Sequence, residues 1–184
     1  MNLISVFEDT LKMSDRLNAT SETTKHIFKD IKDVNSATFL SNVSVVNLDT
    51  VSAISLFSKT GKTCALNMAS YKRPGGGVER GARAQEECLF RCSNLFRAIS
   101  KHFYPLNEDE CLYTENAVFF KDKDYNYIDA IESDVMTIAA INLNENAKYD
   151  PIQNFTNYES ITKDKIRLML SVPIKYGVKN LILG

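Results

Sequence analysis

The 184-residue chain has little glycine, few histidines and no excess of either charge. Its seven glycines are about half the average share, and nothing in it repeats with a fixed period, which excludes a collagen-like chain. Lys and Arg number 22 against 23 Asp and Glu, a net charge of −1. That balance argues against a protein that coats DNA or RNA, so no direct nucleic-acid binding is expected. Only His26 and His102 offer imidazoles, and Cys64, Cys88, Cys92 and Cys111 show no CxxC pairing. The tight four-ligand spacing of a structural zinc site is missing, and neither a metal nor any other cofactor is expected. The thiols read as reduced packing residues in a reducing compartment. No apolar run approaches the roughly 20 residues of a membrane span. The start, MNLISVFEDTLKMSD, lacks the basic end and long apolar stretch of a signal peptide. A soluble, cytoplasmic monomer with no membrane partner is expected.

What is there suits a single domain with a sizeable core: 44% of the residues are hydrophobic. Leu3, Ile4, Phe7 and Leu11 fall at helical spacing, and a second helix is expected from Thr23 through Ile27, Phe28 and Ile31, after a cap-like Ser21-Glu22. Together these predict a helical N-terminal extension over about residues 1–40. Val43–Leu48 is β-branched and bounded by polar residues, which predicts a strand. Asp49-Thr50 caps an expected helix Val51–Lys59 that stops at Gly61. Thr63–Met68 reads as a buried strand, followed by a loop to about Arg83. A long helix from about Ala84 to Lys101 carries an apolar stripe of Cys88, Leu89, Cys92, Leu95, Phe96 and Ile99, with Arg91 and Arg97 leaning outward. Ala117–Phe120 and Val135–Ile141 are expected strands, separated by a polar excursion beginning at Lys121–Tyr127. Thr162–Tyr176 predicts a helix disturbed by Pro173, and a last strand starts at Lys179. Strands alternating with helices predict a three-layer α/β/α sandwich with a mixed, largely parallel sheet.

The loop is where chemistry concentrates. Four of the seven glycines lie between Gly75 and Gly81, and five of the seven arginines lie between Arg73 and Arg97. A loop after a buried strand and before a helix is the position at which open α/β sheets bind ligands. Consecutive glycines let successive N–H groups converge on an anion such as a diphosphate. The pattern is neither GxGxxG nor GxxxxGK[ST], and a plain surface turn accounts for glycine content alone. Gln85-Glu86-Glu87 follows at the helix start. Glutamates there complement the helix dipole, but two adjacent carboxylates facing an anion loop also describe a glycosyl-transfer site.

Pro74-Gly-Gly-Gly-Val78, a six-residue gap and Gln85-Glu-Glu87 together resemble the GGG–QEE signature of poly(ADP-ribose) glycohydrolases. The wider text, Leu66-Asn-Met-Ala-Ser70 through Gly81-Ala-Arg-Ala-Gln-Glu-Glu-Cys-Leu-Phe-Arg91-Cys-Ser93, is similar to the microbial branch. The resemblance implies a macrodomain fold that binds ADP-ribose across the C-terminal strand ends. It implies Glu87 as catalytic acid/base, with its pKa raised by burial beside Glu86, and Glu86 as partner at the terminal ribose. Gly75, Gly76, Gly77 and Val78 would wrap the diphosphate and its ribose, Asn67 would touch the sugar, and Gln85 would stand near the ligand or hold the loop. The implied reaction hydrolyses ribose–ribose O-glycosidic bonds of poly(ADP-ribose) on modified proteins and releases ADP-ribose. The family's second glycine-rich loop would follow the last strand, where Gly184 stands. One domain over 1–184, truncated at its C-terminus, is therefore expected. A non-catalytic ADP-ribose-binding macrodomain and an inactive truncated fragment are the alternatives. Lys72-Arg73 is open to contact with the polymer or to plain solvation. Tyr104, Tyr113, Tyr125 and Tyr127 are open to stacking on adenine, though core edge or surface is the simpler place for each.

Overall fold

The computed structural model describes residues 1–31, 42–99, 101–141 and 155–184. The chain starts with helix α1, Leu3–Leu17, whose N-cap Asn2 accepts from the N–H groups of Ile4 and Ser5. Its apolar face buries Leu3 and Phe7, as the spacing predicts.

The second expected helix is a strand. β1, Glu22–Ile27, pairs antiparallel with β3, Glu110–Lys121, and only a 3-10 turn at Phe28–Asp30 follows it. Thr23 and Thr24 favour the pleat. Thr23 Oγ1 also lies 2.9 Å from both Ala98 O and Thr114 Oγ1, contacts that only the ladder supplies. The helical N-terminal extension is thereby corrected to one helix and one edge strand; its residues 32–41 lie outside the described residues. The expected strand Val43–Leu48 is also absent. That segment runs exposed and unpaired, with Val43 92% and Val45 98% accessible, because β-branched composition makes a strand only where a neighbour completes the ladder.

Helix α2, Thr50–Phe57, is capped by Asp49, which accepts from Ser52 N at 3.0 Å. Strand β2, Thr63–Met68, then enters the core where expected. The expected long helix is broken into α3, Gln85–Cys92, and α4, Leu95–Ala98. Between them Ser93 turns extended, and Asn94 Oδ1 accepts from Val118 N at 2.9 Å while Asn94 N donates to Val118 O at 3.1 Å. Lacing to β3 replaces a helical turn. Arg91 does not lean outward but is fully buried. Arg97 does, and pairs with Asp15 at 2.8 Å.

The expected strands around 117 and 135 are parts of one long antiparallel hairpin, β3 with β4, Tyr127–Ile138. The polar excursion is its turn, closed by Asp122 Oδ1 on the N–H groups of Asp124 and Asn126, both at 2.9 Å. Helix α5, Phe155–Lys175, carries Pro173 in its last turn, and β5, Asn180–Ile182, follows. Residues 142–154 before α5 lie outside the described residues.

The five strands are ordered β1-β3-β4-β2-β5. The sheet is mixed: β4·β2 and β2·β5 are parallel, β1·β3 and β3·β4 antiparallel. Phe7, Ile54, Leu89 and Leu95 from the first four helices fill one face against Ala65, Leu112 and Phe119. Leu168 and Val172 of α5 fill the other against Cys64, Tyr113 and Met136. Three layers result, as expected. The C-terminal end of β2 therefore opens beside the first turn of α3, and the loop joining them lies at that opening.

Candidate active site

The β2–α3 loop is closed at its base by Gln85. Its Oε1 accepts from Met68 N at 3.0 Å, and its Nε2 donates to Leu66 O at 2.6 Å. One side chain thus pins the first residue of α3 to the end of β2, the loop-holding role open to it from the resemblance.

Glu86 and Glu87 point into the loop. Glu86 Oε2 accepts from Ser70 N at 2.8 Å, and its Oε1 accepts from Gly75 N at 3.2 Å and Asn67 Nδ2 at 3.5 Å. Glu87 Oε1 accepts from Gly77 N at 2.8 Å. Both residues are buried, 3% and 6% exposed. The glycines are demanded by this packing. Gly76 has φ +52°, and a Cβ on it would stand 2.7 Å from Glu87 Oε1 and 2.8 Å from Glu86 Oε2. Gly75 lies so close to Phe90 that a Cβ would approach its ring to 2.7 Å.

The loop N–H groups are consequently taken up inside the chain. Besides the two bonded to carboxylates, Gly76 N donates to Arg73 O and Val78 N to Gly75 O. In this structure the N–H groups of Gly75 and Gly77 are turned onto Glu86 and Glu87. Val78 faces the core, 1% exposed.

Burial pushes the Glu86 carboxyl up to about 7, and the neighbouring Glu87 charge adds to this, while Ser70 N, Asn67 and Gly75 N pull the other way. Within this cluster two acceptors are buried without a partner among the described residues: Glu87 Oε2 and Asn67 Oδ1. Asn67 is itself fully buried, its Nδ2 held by Thr137 Oγ1 at 3.2 Å and by Glu86. Buried orphan acceptors are rare and mark where a donor is to be received.

A pocket of about 370 Å³ opens on the neighbouring face of α3, lined by Leu48, Val51, Met68, Gln85, Cys88 and Gly184 among others. Among the described residues no cluster of three or more His, Cys, Asp or Glu could hold a metal ion. No helix among them is long and apolar enough to cross a membrane.

Two residues of this region have contacts that the sequence alone does not show. Arg91, four residues after Glu87, donates through Nη2 to Ala82 O at 2.7 Å and Val78 O at 3.4 Å, and through Nε to Leu3 O at 3.3 Å. It fastens the far limb of the loop to α3 and α1. Tyr104 keeps a buried hydroxyl without a partner, and burial with the Glu86 charge raises its pKa. Its segment is tied to the loop by Leu106 N donating to Tyr71 O at 2.8 Å. Of the other tyrosines, Tyr113 is buried on the α5 side and stacks on Tyr176.

The fold is also that of known enzymes. The fold matches poly(ADP-ribose) glycohydrolase from Thermomonospora curvata at 18% identity, with a TM-score of 0.80 over 99% of this chain and 78% of that one. The same enzyme from Deinococcus radiodurans in complex with ADP-ribose matches at 25% identity and a TM-score of 0.67, covering 77% of this chain and 60% of that one. A further crystal form of that complex matches at 22% identity and 0.76 over 95% of this chain and 74% of that one. No curated protein matches the chain in sequence. The family model of the microbial-type PARG (poly(ADP-ribose) glycohydrolase) catalytic domain matches residues 5–122. The chain belongs to that family of glycoside hydrolases.

Proposed function

We propose that this protein hydrolyses the ribose–ribose O-glycosidic bond of poly(ADP-ribose) and releases ADP-ribose, with Glu87 as the acid/base. The observation that carries this assignment is the division of labour between the two carboxylates. Glu86 spends both oxygens on Ser70, Gly75 and Asn67 and straps the loop to α3. Glu87 spends only Oε1, on Gly77, and keeps Oε2 buried and unpartnered. An oxygen fixed in direction and relieved of other bonds suits proton transfer to a departing ribose oxygen. The same carboxylate then takes a proton from the water that attacks the oxocarbenium-like carbon. Asn67 Oδ1, buried and without a partner, accepts from a ribose hydroxyl in this reading, and a proton on Glu86 near neutral pH removes one of two adjacent charges. The Deinococcus radiodurans relative in complex with ADP-ribose supports the same ligand here. Four free cysteines fit a reducing compartment, and we assign the protein to the cytoplasm.

The test is incubation of the purified protein with poly(ADP-ribose), followed by chromatography of the small products. Released ADP-ribose supports the proposal. Tight ADP-ribose binding without release would make the chain a binding module instead.

A further inference from the structure

Lys72, Arg73, Arg80 and Arg83 lie on the loop between Ser70 and Ala84, and all four are exposed. That stretch holds one acid, Glu79. None of the four cations makes an ion pair with a described residue, although Lys25, Lys62, Arg97, Lys121, Lys123, Lys163 and Arg167 all do. Four cations on one short loop, without an ion pair among the described residues, repel one another in a chain whose net charge is −1.

Their position relates them to the carboxylates. Arg80 Nη2 stands 4.0 Å from the point a Cβ on Gly77 would occupy, and Glu87 Oε1 stands 3.5 Å from that same point. Both groups thus approach Gly77. Lys72 Nζ lies 5.5 Å from the centre of the Tyr71 ring, which is 39% exposed and offers a flat apolar surface beside the cations. The pocket of about 370 Å³ lies elsewhere, on the Gln85–Cys88 face of α3, and none of the four cations lines it.

We infer that this rim is a second anion subsite, which holds the diphosphate of the neighbouring ADP-ribose unit while the terminal unit occupies the inner site. The inference rests on the proposed polymer substrate. A substrate with a diphosphate in every unit presents regularly spaced negative charge, and cations at the mouth attract it over about a Debye length. Releasing its counterions makes the affinity depend on salt, as for a single-stranded nucleic acid. Free ADP-ribose has no neighbouring unit, so the rim favours polymer over monomer.

The experiment reads binding, in the full chain carrying Glu87→Gln so that no polymer is consumed. Affinities for a poly(ADP-ribose) chain of defined length and for ADP-ribose are measured at about 50 and about 250 mM salt, with and without Lys72, Arg73, Arg80 and Arg83 changed to Ser. The account expects the four changes to weaken polymer binding at least about tenfold and ADP-ribose binding less than about threefold, and to flatten a salt slope of about −3 toward zero. Equal weakening of both ligands would place the rim in the terminal site and overturn the inference. Unchanged polymer affinity and slope would overturn it too, as would single-stranded RNA of matched charge competing as strongly as the polymer. Because no hydrolysis is read, failure of the hydrolase assignment does not alter these outcomes.

Discussion

The Gly77 N–H donates to Glu87 Oε1 at 2.8 Å, across ten positions of sequence. This bond orients the second glutamate and leaves its other oxygen without a partner. The triple glycine and the paired glutamates are therefore one unit: the loop can pass over the carboxylates only where side chains are missing.

Gly76→Ala tests that unit. The substitution sets a side chain at φ +52° and within 2.8 Å of both carboxylates. Strain alone costs about 1–3 kcal/mol, and displacing Glu87 should lower hydrolysis by about 100-fold or more. Gly177→Ala is the control: φ is +70°, yet nothing lies within 4 Å of its added Cβ. Thermal melts should fall for both variants, and the rate of ADP-ribose release only for Gly76→Ala.

Gln85→Ala should loosen the loop base. It removes the bonds to Met68 N and Leu66 O, at a net cost of about 1–2 kcal/mol. Denaturant titration should register that loss, and calorimetry should show weaker binding of ADP-ribose. Intact affinity in Gln85→Ala would mean that the loop keeps its position without the clamp.

Stability should carry the signature of Glu86. Its carboxyl titrates near 7 in the folded chain against the ordinary 4.5, so the native state binds more protons between those values. The resulting contribution is full below about pH 4.5 and is lost as pH rises through about 7, by at most about 3 kcal/mol. Asp9 and Glu110, both held below their ordinary values, act in the opposite sense. The informative quantity is therefore the difference between wild type and Glu86→Gln in denaturant midpoints from pH 4.5 to 7.5. The gap should close in favour of Glu86→Gln as pH rises; a gap independent of pH would contradict the assignment.

The elements around the site were legible in the sequence because local rules and tertiary packing agree there. Thr63–Met68 is an apolar run of strand length, and the helix with Gln85, Glu86 and Glu87 in its first turn starts where the dipole favours acids. Agreement failed where a distant partner decides the outcome. Glu22–Ile27 carries helical spacing, but the β3 edge claims it; Val43–Leu48 carries strand composition, but no edge does. The first half of β4 hides behind polar residues because its turn, not its hydrophobicity, sets the pairing. Arg91 looks like a surface cation until the carbonyls of Val78 and Ala82 fold back over it. The glycine N–H groups read as an anion nest, but their bonds to Glu86 and Glu87 reach eleven and ten positions along the sequence. Only the folded loop shows that.

The central claim is that Glu87 moves the proton. Its most direct test compares wild type with Glu87→Gln, which keeps a side-chain oxygen for Gly77 N but has no carboxyl to titrate. Product release from poly(ADP-ribose) should drop by about 10²–10⁴-fold in Glu87→Gln, with ADP-ribose affinity and melting temperature close to wild type. Undiminished release from Glu87→Gln would contradict the account.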